Sequence, residues 1–218
     1  MEVRMAPEES ETPAVRRTQA ERSAAMRQRL LDATIDCLVT YGYAGTTTQR
    51  VAQRAGVTRG AQIHHFKAKE DLVAAAIEHL AHRRAEKAIA DVGTIKDNPD
   101  VVTAILDFLW SLHQGPIFVA TIELWIASRT DRALAAQIER VEPVVNAGVF
   151  AAIVQLLPDQ AAQRELRHAA YTTMDAIRGL LISSFVDQDE ARLQRRWARA
   201  SSRLRRDIEA ALSTERPS

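Results

Sequence analysis

Apolar residues return every three or four positions through nearly the whole chain from residue 20 to residue 212, and no alternating stretch of useful length interrupts them. That period is the mark of amphipathic helices, and its persistence predicts an all-α protein. Glycine and proline fall between the apolar periods, at Gly93 and Pro99, at Gly115-Pro116 and at Pro158, where they end helices. The pattern places helices over 20–41, 48–55, 59–65, 69–92, 99–113, 116–128, 131–157, 160–186 and 189–212. Pro143 should kink the seventh, because its ring removes a backbone donor and crowds the preceding turn. Residues 1–20, rich in Glu, Pro, Ser, Thr and Ala, have no period and are expected to form a disordered arm. The chain then divides into that arm, a small helical domain over 21–70 and a larger helical body over 71–218.

The stretch from Thr46 to Phe66 carries the sharpest local signal. Thr47 and Thr48 supply hydroxyl caps for a short helix ending near Ala55. Gly56 permits the positive backbone angle that stops it, and Val57 turns inward. Thr58 caps a second short helix, Arg59 to His65, closed by Phe66. Val51, Ala55, Val57, Ile63 and Phe66 are the apolar points expected to lock the two together. Such a helix-turn-helix puts its second helix into a DNA major groove.

An amphipathic run with a Tyr41-Gly42-Tyr43 stop precedes this unit, and Lys67-Ala68-Lys69-Glu70-Asp71-Leu72 follows it and opens a long helix. The order of helix, glycine stop, Thr-Thr, Val-Ala, Ala-Gly-Val-Thr-Arg-Gly, His-Phe and Lys-Glu-Asp-Leu, over roughly Arg27 to Leu72, resembles the DNA-binding domain of the tetracycline-repressor (TetR) family. The resemblance implies a homodimeric transcriptional regulator, with Thr47, Thr48, Thr58, Arg59, Gly60, Ala61, Gln62, His64, His65 and Lys69 on the DNA. Arg59 would read bases, Thr47, Thr58, His65 and Lys69 would hold phosphates, and Gly60 would let the backbone approach closely. Gln62 would pair with adenine if it faces the groove, or belong to the core if it does not. Gln62-Ile63 replaces the family's apolar residue and tyrosine, so Ile63 cannot supply the usual tyrosine-to-phosphate contact.

The last two helices suggest how two copies would meet. Leu193, Trp197, Ala200, Leu204, Ile208 and Ala211 form a narrow apolar stripe, and Ala169, Ala170, Thr173, Ile177, Leu180, Leu181 and Ser184 a smooth face on the helix before it. Such stripes need a partner. A four-helix dimer interface is implied by the family, with Thr173, Ile177, Leu181, Trp197, Leu204 and Ile208 in the contact; packing within one subunit is the plainer alternative.

Most aromatic residues fall in the fifth to eighth helices, where a helical body would enclose a small molecule. Trp110, His113, Phe118, Glu123, Trp125, Met174 and Arg178 are the candidates for that cavity, although aromatic residues also serve as ordinary core. Glu123 and Arg178 stand out because a charge in an apolar stretch needs a partner or a ligand.

Composition narrows the rest. The formal net charge of the 218 residues is only +1, but ten basic side chains face four acidic ones between Ala14 and Glu70, the local excess that phosphate binding requires. The single cysteine, Cys37, allows no intrachain disulfide and reads as a buried filler of a cytoplasmic protein. No run of about 18 apolar residues suggests a membrane span. His79, His82 and Glu86 share a helix face that could hold a metal, though a solvated charged face accounts for them equally; no metal, cofactor or catalytic set is expected. The partners that the family resemblance implies are a palindromic double-stranded DNA operator, a second copy of the chain and a small-molecule effector that releases a repressor. A regulator without a small ligand is the alternative.

Overall fold

The computed structural model describes residues 18–95, 98–156 and 164–213. The expected arm lies outside the described residues up to residue 17, as does Pro158. The described residues form nine helices and no strand: α1 (Gln19–Gly45), α2 (Thr48–Arg54), α3 (Arg59–His65), α4 (Lys69–Ile95), α5 (Val101–Leu112), α6 (Pro116–Ser128), α7 (Arg132–Leu156), α8 (Arg164–Ser184) and α9 (Glu190–Ser213). Helix order and type follow the apolar period, with ends displaced by a few residues.

Local chemistry explains the boundaries. Thr18 and Glu21 make a reciprocal capping box at the start of α1. Gly42, at φ 67°, breaks the helical path of α1 where the tyrosine-flanked glycine predicts a stop. Thr47 caps α2 through Arg50 N, and Thr58 caps α3 through Ala61 N, each at 3.2 Å. Gly56 takes φ 65° in the turn between them. Asp131 caps α7 by accepting from Leu134 N at 3.0 Å.

Three apolar clusters organise these helices. One holds Leu30, Leu31, Cys37, Val51, Phe66, Leu72 and Ala75 and closes α1–α3 onto the start of α4. A second brings Ile35 and Leu38 of α1 and Val73, Ile77 and Leu80 of α4 against Ala120 and Leu124 of α6 and Leu134 of α7. The third and largest fills the space among α5, α6, α8 and α9, with Ile105, Leu109, Ile122, Ile177 and Ile208 almost wholly buried. The first four helices therefore rest on the body through α1–α6 and α4–α7 packing. Tyr43 strengthens that seam, since its hydroxyl donates to Asp131 Oδ2 at 3.2 Å.

The α8–α9 pair follows the plainer of the two sequence readings, packing within its own subunit. Thr173, Ile177, Leu181, Trp197, Leu204 and Ile208 are all buried within their own subunit. Trp197 stacks on Trp110 of α5 at 4.5 Å between ring centroids, and the others belong to the same core or to its α8 lining. The apolar stripe found its partner inside the chain. Exposed apolar side chains instead gather at the end of α8, where Ile182, Phe185 and Val186 face outward. Among the described residues no single helix is long and apolar enough to cross a membrane.

Candidate nucleic-acid interface and effector cavity

Thr47, Arg59, Gly60 and His64 are exposed, Thr58 is exposed at the α3 cap, and Thr48, Ala61 and His65 are half-buried. Arg59 makes no ion pair among the described residues, so its guanidinium is free for a base edge or phosphate. His64 and His65 meet edge to face with ring centroids 5.4 Å apart. Burial, then the neighbouring His64 and Arg27, push the His65 pKa below its ordinary value. His65 is therefore largely neutral near pH 7, able to donate one hydrogen bond to a phosphate without adding a full charge.

The basic residues divide their work. Arg54 Nε donates to Asp36 Oδ2 at 2.9 Å, and Arg50 Nη1 donates to the Gly45 carbonyl at 2.5 Å while lying over the Tyr41 ring. Both bind α2 to α1. Lys69, expected on phosphate, donates from Nζ to the Tyr43 carbonyl at 2.7 Å and sits 4.0 Å from the centre of the Tyr43 ring. One of its three N–H donors is thus used within the chain, and burial lowers its pKa. Sequence composition counted these charges correctly but could not show where each one is used.

Gln62, which the sequence leaves open between groove and core, lies inside, and Ile63, expected in the lock, lies outside. Gln62 is 1% exposed, and its amide nitrogen donates to the Phe66 carbonyl at 2.6 Å, closing the end of α3 from the inside. Ile63 is 43% exposed, one α-helical turn from Arg59 on the outer face. The Thr58 cap fixes the rotation of α3, and that rotation turns residue 62 inward with Phe66. Gln62 is therefore a core residue, and Ile63 is no part of the lock. An apolar side chain on a recognition helix suits contact with a thymine methyl group.

The body contains a partly enclosed space between α4, α6 and α7, lined by Ile77, Leu80, Arg84, Leu124, Trp125 and Glu142 among others. It offers about 30 Å³ and adjoins an open cleft of about 690 Å³ bounded by Trp125, Ile138, Glu142, Pro143, Asn146 and Tyr171. The cleft lies within the size range of small-molecule sites. Arg178 lies over the Trp125 ring at 4.9 Å, on the α8 side of this wall.

Of the residues expected to line a cavity, Trp125 does so and Arg178 stands behind it; the others lie elsewhere. Trp110 is stacked on Trp197, Phe118 is buried in the α5–α9 core, and Met174, in the same core, also borders a narrow crevice that shares Asn146 and Tyr171 with the cleft. His113 is buried beside Phe118, with Nδ1 donating to the Leu109 carbonyl at 2.7 Å. Burial holds its pKa down to about 3. Glu123 sets its carboxylate against Gly42 of α1, at the seam with the helix-turn-helix. Arg84 and Glu142 were not anticipated. Arg84 hides in the charged run His82-Arg83-Arg84, where only helical phase separates it from exposed Arg83. Glu142 follows the charged pair Glu139-Arg140, so its charge alone does not set it apart in the sequence. The metal face is not assembled either: His79 Nε2 pairs with Asp32 Oδ1 at 2.9 Å, and no metal-binding group of three or more occurs among the described residues.

The comparisons with known proteins agree with this geometry. Residues 30–76 match the family of bacterial regulatory proteins described as tetR. The chain is 30% identical over 181 residues to the HTH-type transcriptional regulator CymR of Pseudomonas putida, covering 83% of this chain and 89% of that protein. The chain belongs to the tetR family of bacterial regulatory proteins. Solved structures share the fold of this tetR-family chain. A regulator assigned to the same family from Rhodococcus sp. superimposes with a TM-score of 0.66 at 21% identity, covering 87% of this chain and 100% of that one. The multidrug binding protein EbrR, solved with imidazole, gives 0.56 at 22% identity over 82% of this chain and 93% of its own. As a tetR-family member the chain is a DNA-binding transcriptional regulator.

Proposed function

We propose that this regulator is a homodimeric repressor that leaves a palindromic operator when a small molecule enters the cleft beside α4. Two α3 helices, one from each subunit, enter successive major grooves, with Arg59 and Ile63 toward the bases and Thr47, Thr58 and His65 toward phosphates. One subunit alone presents too few contacts for useful specificity, so the dimer is part of the mechanism. The outward face of α8 with the neighbouring face of α9 joins the two copies; Ile182, Phe185 and Val186 are the exposed apolar residues on it. The division into a DNA-binding unit over 21–70 and a body over 71–218 follows the same reading, and a chromosome-bound regulator works in the cytoplasm.

The observation that carries this reading is the double use of α4. Its first turns supply Leu72 and Ala75 to the core of the helix-turn-helix, and its middle supplies Ile77, Leu80, Ala81 and Arg84 to the cavity wall. A ligand that displaces α4 displaces the reading helices with it. Switching needs a coupling of only about 1–3 kcal/mol, or about 5–150-fold in affinity.

The test begins with an operator selected from a random duplex library, followed by sedimentation of the free protein and its complex. A dimer on a two-half-site palindrome supports the reading, and a monomer on a single site overturns it. A metabolite panel in thermal-shift and DNA-release assays tests the effector: a stabilising compound should also release DNA.

A further inference from the structure

Arg84 lines the enclosed space, Arg178 stands behind Trp125 on its wall, and the Glu142 carboxylate lies near both. Arg84 is 7% exposed and has no hydrogen bond or ion pair within reach among the described residues. Arg178 reaches Glu142 only at 3.7 Å from Nη2 to Oε1, too long for a hydrogen bond, and both of those atoms are buried without a hydrogen-bond partner. The other Arg178 contact, Nη1 to Asp175 Oδ1 at 3.1 Å, lies at the surface. His113 Nε2 and Asn146 Oδ1 are also buried and unpartnered.

Such a cluster is costly unless something completes it. A buried charge needs pairing, and a lone buried guanidinium cannot shed its proton to escape the cost. Burial lowers the Arg84 pKa, Glu142 partly opposes that, and Arg178 adds to it. Arg178 has Asp175 and Glu142 beside it, so Arg84 is the charge left without an ion-pair partner among the described residues, set among Ile77, Leu80, Leu124, Ile138 and Val141. We propose that the effector is an amphipathic anion, a carboxylate on an apolar body, whose head lies against Arg84 and Arg178 and whose body fills the cleft. This assignment rests on the effector-controlled reading above and names the chemistry of its ligand.

The two spaces fit the two ends of such a molecule. The enclosed space of about 30 Å³ is of the order of two water-sized spheres, the scale of a carboxylate head. The cleft of about 690 Å³ offers Trp125, Ile138, Pro143, Ala147 and Tyr171 to an aromatic or aliphatic body, with Glu139 and Glu142 also on its lining. The planar fork of a guanidinium matches a carboxylate in two-point contact. Glu142 competes for the same arginines, so an incoming carboxylate takes over a pairing the protein makes poorly.

Three probe pairs test the assignment on the full-length protein: octanoate against octanamide, 3-phenylpropanoate against its amide, and octanoate against octylamine. Direct binding is measured by calorimetry and DNA release by fluorescence anisotropy. At least one carboxylate should bind tenfold or more tightly than its amide, and octylamine should bind weakest. Arg84→Met should erase the preference for carboxylate over amide. Glu142→Gln, which removes the competing charge, should tighten carboxylate binding severalfold, a change that a merely structural role would not produce. Amides binding as well as carboxylates, a preference for octylamine, or an Arg84→Met protein that is folded by circular dichroism and keeps the preference would each overturn the anion site. If carboxylates bind with this pattern and DNA stays bound, the anion site stands and the release mechanism fails. If a neutral or cationic member of the wider panel releases DNA while the carboxylates do not bind, the release mechanism stands and the anion site fails.

Discussion

Glu123 of α6 rests its carboxylate against Gly42, so closely that a β-carbon added at Gly42 would lie 2.9 Å from Oε2. The contact falls where α1 leaves its helical path at φ 67°. Two costs would follow from Gly42→Ala: a left-handed backbone with a side chain, and a displaced carboxylate. The backbone cost is about 1–2 kcal/mol, whereas the carboxylate is the free end of a flexible side chain and can move aside. Urea titration should therefore show Gly42→Ala less stable by about 1–2 kcal/mol in both the native and the Glu123→Ala background. Coupling between the two sites should stay under about 0.5 kcal/mol. A large coupling would mean that the carboxylate, not the backbone, sets the cost.

Replacing Gln62 by Leu keeps the volume and removes the hydrogen bond to Phe66. Stability of the folded protein should fall by about 1–3 kcal/mol, since the Phe66 carbonyl loses a buried donor. The operator chosen from a random library should stay the same. Arg59→Ala should do the opposite, relaxing preference at one base position at a cost of about 1–3 kcal/mol in discrimination while leaving the melting temperature nearly unchanged. A new base preference in the Gln62→Leu protein would show that Gln62 does face DNA.

Leu204 and Ile182 should separate folding from assembly. Leu204 lies in the subunit core, so Leu204→Glu buries a charge without a partner and should unfold the chain rather than merely split a dimer. Ile182 is exposed on α8. Ile182→Glu should keep the helical circular dichroism signal and its melting behaviour at low concentration, yet sediment as a monomer with weakened operator binding. A folded monomer from Leu204→Glu would return that residue to the subunit interface.

His113 makes stability depend on pH. Its pKa falls from an ordinary 6.5 to about 3 because burial disfavours the charged ring. Between those values the unfolded chain holds a proton that the native chain refuses, so this contribution is intact above about pH 6.5 and shrinks as the solution is acidified. From pH 7 to pH 5.5 the loss should be about 1 kcal/mol. His113→Gln should flatten the urea-derived stability over that interval. An unchanged slope would assign the pH dependence to other groups.

Periodicity and turn chemistry made most of this molecule readable. Thr47, Thr58, Gly42 and Gly56 fix helix ends through contacts a few residues away, so their signals are local and survive in sequence. The rotation of a seven-residue helix is harder to read. In α3 the polar Gln62 went inward and the apolar Ile63 outward, because an amide reaching a carbonyl four residues on outweighed residue hydrophobicity. Partner choice is harder still. The α9 stripe asks for an apolar surface, and nothing along the chain says whether α5 and α8 or a second copy provides it. Arg84 and Arg83 are chemically identical neighbours that differ only in which side of α4 they occupy.

The bonds from Arg54 to Asp36 and from Arg50 to Gly45 tie α2 to α1, and the shared core of Leu30, Leu31, Val51 and Phe66 closes α3 onto both, so the three helices form one reading head. An input that arrives through α4 can tilt or translate that head, but it has little purchase on the shape of the surface that meets the bases. Each half-site should thus be read alike with or without effector. In the proposed dimer the signal would alter the distance and angle between two heads, so operators differing in spacer length, more than those differing in base sequence, should respond differently to the same inducer.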